Sequence, residues 1–276
     1  MYGGIETGGT KTVCAVGANG TIEDRVQFPT GDDPVHLVSE IAEFFAGHPV
    51  DGIGLGTFGP CDPNPDSPTY GWILATPKRG WVNVDLLGML GARLGVPMAL
   101  TTDVTAAALG EMRFGAGLGY TDLVYVTIGT GIGGGVVSSG QVVRGLQHPE
   151  PGHMLLPFDV PSVCAYHQRC WEGMASGPAM QARLGFPAQD LSDDDPAWDL
   201  QAAIVAAGLH NLTCALSPQL IILGGGVGSR PGLHERIPAL LQQSLGGYVG
   251  APTLVPPALG ANAGVIGAMA LAAETL

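Results

Sequence analysis

The 276 residues carry a formal charge of −13, a 46% hydrophobic composition and five cysteines. That length buries a core for one large domain or two modest ones, and that apolar content excludes a disordered chain. A surface this acidic also excludes nucleic acid, which needs a basic footprint, so an anionic ligand must be neutralised locally by backbone amides, a lysine or a metal ion.

The chain has only two lysines, Lys11 and Lys78, and each sits in a Gly/Pro-rich segment. The N-terminus lacks the basic region of a secretory signal, and Glu6 and Lys11 interrupt what would be its apolar run. The apolar stretch from Gly264 to Ala273 is too short to span a bilayer, so no membrane partner is expected. The cysteines are odd in number, with Cys14, Cys61 and Cys214 scattered, which suits a reducing cytoplasm better than a disulfide scaffold.

In chain order, MYGGIETGGTKTVCAVG reads as strand, glycine turn, strand. GDDPVHLVSEIAEFFAG carries helix punctuation: Asp33 as N-cap, Pro34 at the first position and Gly47 past the end. DGIGLGTFGP is a short buried strand that breaks into a loop, and the prolines and glycines of CDPNPDSPTYGWILATPKRGW predict no regular structure there. A helix near Asp85 to Leu94 and the strand VPMAL lead to TDVTAAALGE, a helix starting at Thr102 or Asp103. DLVYVTIGTGIGGGVV repeats strand, glycine turn, strand. Beyond a Cys/His-rich segment come a helix around Leu200 to Leu216, the strand and glycine turn of LIILGGGVGS, and helices in HERIPALLQQSLGG and NAGVIGAMALAAETL. The recurrence of the hairpin predicts duplicated α/β domains with a cleft between them.

The glycine turns carry the chemistry. Gly8 and Gly9 lack a Cβ, so backbone amides there can approach a phosphate; Thr10 adds a hydroxyl, Lys11 a charge, and Glu6 a carboxylate that is a candidate ligand for Mg²⁺. A plain hairpin turn is the alternative for this segment alone. IGTGIGGG, residues 128–135, opens no helix, so it fits neither the dinucleotide fingerprint nor the Walker lysine loop. His153, Cys164, His167 and Cys170 form a C-x₂-H-x₂-C knuckle plus an upstream histidine, four N/S ligands suited to tetrahedral Zn²⁺. The competing Cys164–Cys170 disulfide does not suit a reducing compartment. The acidic run from Asp190 to Asp199 does not match a calcium loop and reads as a solvated segment capping the next helix.

Together GGIETGGTK, GTFGP, SPTYG with TPKRGW, TDVTAAALGE, GTGIGGG, HPEPGH, YHQRCWEGMASGPA, IILGGGV and LGANAGVIGA resemble the sugar kinases of the ROK family, nearest to its zinc-containing bacterial fructokinases. The resemblance implies the duplicated actin/hexokinase-like (ribonuclease H-like) ATPase fold, with a small α/β domain of residues 1–103 plus about 263–276 and a large one of 104–262 bearing the zinc loop. It implies ATP-dependent phosphorylation of a hexose 6-hydroxyl, fructose first, with mannose, glucose or a broad hexose range as alternatives. A sugar-sensing regulator is the remote one, because the first hairpin begins at residue 3 and leaves no room before it for a DNA-binding helix pair.

By the same resemblance Asp103 is the base, and its place at a helix N-terminus should keep it ionised. Gly8, Gly9, Thr10, Lys11, Thr130, Gly131, Gly133, Gly134, Gly225 and Gly226 bind ATP. Gly59, Pro60, Thr102, Glu150, His153 and Glu172 contact the sugar, and Phe58, Lys78 and Trp81 help close over it. Many relatives have asparagine where this chain has Thr102 or Thr105, an acidic residue in place of Ala261 and aspartate in place of Glu6. The implied cofactors are ATP, Mg²⁺ and structural Zn²⁺, and the implied partner is a second copy in a homodimer.

Overall fold

The computed structural model describes residues 1–276, whose backbone groups by contact into two units: 1–118 with 142–149 and 261–276, and 119–141 with 150–260. The first boundary falls after residue 118, where the sequence reading places it at 103, because the helix beginning at Asp103 packs on the C-terminal helix.

The chain opens with β1 (Tyr2–Thr7), β2 (Lys11–Ala18), β3 (Thr21–Pro29), α1 (Pro34–Ala46) and β4 (Gly52–Thr57). It continues with β5 (Trp72–Ile73), β6 (Val84–Asp85), α2 (Leu86–Leu94), β7 (Met98–Thr102) and α3 (Asp103–Phe114). Then follow β8 (Leu123–Ile128), β9 (Ile132–Ser138), β10 (Gln141–Val142), α4 (Trp171–Ala175), α5 (Gly177–Leu184), α6 (Ala197–Leu216), β11 (Leu220–Gly224), α7 (Pro231–Leu245), β12 (Thr253–Val255) and α8 (Ala263–Thr275).

The punctuation works as predicted at α1, where Asp33 Oδ1 accepts from the Val35 and His36 amides and Gly47 closes the end. The loop expected to be wholly irregular instead holds a two-stranded ribbon, β5 with β6, registered Trp72 to Asp85 and Ile73 to Val84.

The first sheet has the order β3-β2-β1-β4-β7, and the second β10-β9-β8-β11-β12. The orders correspond strand for strand: an antiparallel hairpin, then parallel strands beside its first strand. This is the duplication that the repeated glycine hairpin predicts.

Alternation sorts the first sheet's faces. Ile5, Ile53 and Leu55 join Leu37, Val38 and Ile41 of α1, Leu86 and Leu90 of α2 and the fully buried Trp81 in one core. The opposite face is paved with Gly4, Gly54 and Gly56 so that helices lie directly on it. A methyl group on Gly54 would sit 1.8 Å from the Ala268 carbonyl, and one on Gly4 2.4 Å from that of Val265. The α3–α8 crossing is equally close, because a Cβ on Gly267 would sit 1.6 Å from the Ala106 carbonyl. Covered by the sheet on one side and by α3 on the other, α8 is buried from Ala263 through Ala272 and is apolar all round. No helix is long and apolar enough to cross a membrane.

Candidate active site

Three neighbouring parallel strands deliver the first unit's candidate residues. Thr7, Thr57 and Thr102 stand in one register row at the carboxyl ends of β1, β4 and β7, and all three are buried. The Thr7 hydroxyl donates to Thr57 Oγ1 (2.8 Å), and the Phe58 amide donates to the Thr7 carbonyl (2.7 Å). Beyond this row the chain runs into the turn at Gly8–Lys11, into Phe58–Gly59–Pro60 and into Asp103. Carboxyl ends of parallel strands are where open α/β sheets collect ligands.

Asp103 opens α3, with Oδ1 accepting from the Val104 amide at 2.8 Å. Gly56 of β4 lets the helix begin there, since a Cβ on it would meet the Ala106 methyl at 2.9 Å. Thr102, expected to contact sugar, is 3% exposed, and its hydroxyl is committed to the helix start. It accepts from the Thr105 amide and donates to Thr105 Oγ1 at 2.7 Å. The two threonines therefore act as a cap. Gly59–Pro60 is a cis peptide, and the next amide, Cys61 N–H, donates to His148 Nε2 at 3.2 Å. Burial holds the His148 imidazole below its usual pKa, which keeps Nε2 an acceptor.

Every carbonyl of the first glycine turn is hydrogen-bonded. Gly8 O accepts from the Thr30 hydroxyl (2.7 Å), Gly9 O from the Lys78 ammonium (2.8 Å), Thr10 O from the Thr30 amide (3.0 Å) and Lys11 O from the Gly8 amide (2.9 Å). The Gly9 and Thr10 amides donate to no protein acceptor, and both residues are exposed. Two successive exposed amides without a protein acceptor are the donors that an anion could use. Thr30 and Thr57 were not among the site residues read from the sequence, and Lys78, expected to help close over the sugar, instead meets the Gly9 carbonyl of the first glycine turn. The only signal for those threonines was their place at a strand end.

Glu6 points to the helix-covered face. It accepts from the Val265 amide at the start of α8, and Gly264 makes room for it, since a Cβ there would lie 2.4 Å from the Glu6 carboxyl carbon. Burial raises its pKa, offset in part by Lys11, the Val265 amide and Arg25, and Oε2 is buried without a partner. One buried oxygen falls far short of the ligand set that Mg²⁺ requires. Glu6 fits a cap of α8 better than a magnesium ligand.

In the second unit, Thr130 and Gly131 form the tip of the β8–β9 turn, whereas Gly133 and Gly134 lie inside β9, paired with Thr127 and Val126. A Cβ on Gly134 would press on Pro151 at 2.5 Å, so this glycine serves the short 3₁₀ turn Pro151–His153. The Ile132 amide donates to Glu172 Oε2 at 3.0 Å, and a Cβ on Gly131 would meet the same oxygen at 2.6 Å. Glu150 keeps exposed surface, but desolvation of its carboxyl group and then the Glu172 charge push its pKa up to about 7. Gly225 takes φ +87° and packs against the Ile128 backbone, whereas Gly226 has open space where a Cβ would stand.

The predicted metal ligands do converge. His153, Cys164, His167 and Cys170 place one ligand atom each within 4.8 Å of one another. Cys164 Sγ lies 4.0 Å from His153 Nδ1 and 3.9 Å from His167 Nδ1, where the edges of a zinc tetrahedron measure about 3.3–3.8 Å. Cys164 Sγ accepts the Tyr166 and His167 amides and Cys170 Sγ that of Gly173, donors that suit thiolates. Burial pushes the Cys170 thiol up to about 11, so a metal is what would deprotonate it. The four residues fit Zn²⁺, and no two of the five cysteines are bonded.

The acidic run is held by arginines. Arg230 pairs with Asp193 (2.9 Å) and Arg236 with Asp199 (2.7 Å), and their guanidinium groups also reach the Leu191 and Asp193 carbonyls. The Ala197 amide donates to Asp195 Oδ1 at the start of α6 (2.8 Å), but the N-cap itself is Pro196, whose side chain caps nothing.

Duplicated sheets, a cation-flanked glycine turn and an aspartate at a helix start define a phosphotransferase of the actin-like class. The chain belongs to the ROK family, whose model matches residues 2–275. It is similar to the fructokinase of Pediococcus pentosaceus, 42% identical with 100% of this chain and 99% of that protein covered. Among solved structures it is similar to a ROK hexokinase from Thermus thermophilus, at TM-score 0.82 and 31% identity, with 99% and 98% covered. It is also similar to a ROK family glucokinase from Streptomyces griseus in complex with glucose and AMPPNP, at TM-score 0.83 and 27% identity, with 99% of each chain covered.

Proposed function

We propose that this chain is a fructokinase that transfers the γ-phosphoryl group of MgATP to the 6-hydroxyl of D-fructose. The observation that supports the reading is the row of strand ends at Thr7, Thr57 and Thr102, from which the chain enters the first glycine turn, the Gly59–Pro60 loop and Asp103. Kinship with fructokinases over the whole chain, at 42% identity in one case, favours fructose among hexoses.

Phosphoryl transfer through a loose transition state asks little of a base beyond position, since charge neutralisation supplies most of the acceleration. Asp103 takes the proton of the attacking hydroxyl. The bare amides of Gly9 and Thr10, with Lys11, take the phosphates; the open backbone of Thr130, Gly131 and Gly226 serves the rest of the nucleotide. Magnesium arrives with ATP as part of the substrate. Gly59, Pro60, Glu150, His153 and Glu172 bind the sugar. Zinc on His153, Cys164, His167 and Cys170 fixes an irregular loop. Because Nδ1 of His153 faces the metal cluster, Nε2 is left to carry the proton and donate to a hydroxyl. We read the enzyme as a cytoplasmic homodimer, which light scattering on the purified protein tests.

The test of function is ADP release with Mg²⁺ and each of fructose, mannose and glucose in competition, with the phosphorylated carbon identified by NMR. Fructose-dependent turnover giving fructose 6-phosphate is expected. A preference of at least tenfold for glucose or mannose would replace the substrate assignment, and no sugar-dependent turnover would remove the kinase reading.

A further inference from the structure

We propose that Lys78 is a phosphate-contacting residue, an ammonium held at the tip of the first glycine turn to meet the terminal phosphate of the nucleotide. The proposal rests on the reading of that turn as the phosphate nest. In a chain of charge −13 the two lysines are the scarcest means of local neutralisation, and both stand at this one turn. Lys11 begins β2, and Lys78 comes from a distant loop to place Nζ 2.8 Å from the Gly9 carbonyl.

Its loop is built to hold it there. Trp81 is fully buried, with its indole N–H on the Gly31 carbonyl (3.0 Å), and Gly80 sits at φ +79° against the Asp32 backbone. The side chain is 17% exposed, a degree of confinement that costs a lysine both rotamer freedom and hydration. An ammonium has three donors. Gly9 O uses one; the Asp32 carboxylate lies 3.9 Å away, beyond a hydrogen bond, and is itself 65% exposed. Donors therefore remain beside the Gly9 and Thr10 amides, whose own N–H groups meet no protein acceptor. The same contact fixes the Gly9 carbonyl, so the lysine orients the nest and adds charge to it.

The test compares Lys78→Met, Lys78→Arg, Lys78→Gln and Gly9→Val in steady-state kinetics, with thermal melting as a check on folding. Lys78→Met is expected to lower kcat/KM for MgATP at least tenfold, to shift KM for fructose less than twofold, and to narrow the difference between ATP and ADP affinities measured by calorimetry. Lys78→Arg should recover most of the loss and Lys78→Gln should not. Unchanged MgATP kinetics in Lys78→Met would overturn the proposal. So would a loss that Gln restores, because a neutral donor to Gly9 O would then suffice. Gly9→Val separates this from the parent reading: a Cβ at Gly9 meets no protein atom within 4 Å, so its effect reports on ligand approach. Normal MgATP kinetics in Gly9→Val would remove the nest and the Lys78 proposal with it. Loss in Gly9→Val without loss in Lys78→Met would remove only the lysine.

Discussion

The two glycine hairpins share a topology and differ in what surrounds them. The β1–β2 turn has its carbonyls hydrogen-bonded, two exposed amides without a protein acceptor and an ammonium on the Gly9 carbonyl. At the β8–β9 turn the Gly129 carbonyl is tied to the Gly177 amide (2.7 Å), and the Ile132 amide is taken by the Glu172 carboxylate. An acid against one turn and a lysine against the other leave opposite charges beside two backbones of the same topology. A duplicated fold thus keeps its backbone and divides its chemistry by which side chain is brought to each turn.

The sharpest way to break this comparison is to separate glycines that serve packing from those that serve ligands. Gly267→Ala forces a methyl group onto the Ala106 carbonyl and should cost about 3 kcal/mol or more in denaturant unfolding. Gly226→Ala, where space is open, should stay within about 0.5 kcal/mol while weakening ATP binding.

The next effect lies at the second turn. Glu172→Gln should lower kcat/KM for fructose about 100-fold, the worth of a charged hydrogen bond at about 1.5–3 kcal/mol, with KM for MgATP moving less than twofold. A loss on the nucleotide side instead would reverse the division. Removing zinc with a chelator, or Cys164→Ser, should lower fructose kcat/KM about tenfold, with one zinc per chain lost by atomic emission and MgATP affinity retained.

The smallest effect is in pH. Desolvation and Glu172 hold Glu150 at about 7 against about 4.3 in an unfolded chain, so between those values the folded state keeps a proton that the unfolded state has released. Stability contributed below the unfolded value is then lost as pH rises through about 7. Because the residue retains exposed surface, the loss is discounted by solvent: Glu150→Gln should flatten the decline of Tm between pH 5 and 7.5 by a degree or two.

Much of this was legible in the residues. Asp33, Pro34 and Gly47 mark α1 because caps are local chemistry, and the C-x₂-H-x₂-C spacing with His153 upstream marks the candidate metal site because four N/S ligands have few other uses together. What was not legible depends on distant partners. Gly133 and Gly134 look like part of a phosphate loop, yet β9 pairing and Pro151 account for them. Thr102 looks like a sugar ligand until Thr105 claims its hydroxyl. Glu6 looks like a metal ligand until α8, from the far end of the chain, supplies an amide. Strand β3 runs Thr21–Pro29 at the sheet edge with Ile22, Val26 and Phe28 half-buried, and Asp24 interrupts the apolar alternation that would announce it.

The central claim is that Asp103, at the first turn of α3, receives the proton of the sugar hydroxyl as phosphate is transferred. Asp103→Asn tests it most directly, since asparagine preserves shape and can still accept from the Val104 amide. The account predicts a fall in fructose-dependent ADP formation of about 10³-fold, within the 10²–10⁴ range of such a group, with unchanged Tm and retained binding of fructose and ATP. Turnover within a few-fold of the unsubstituted enzyme would contradict it.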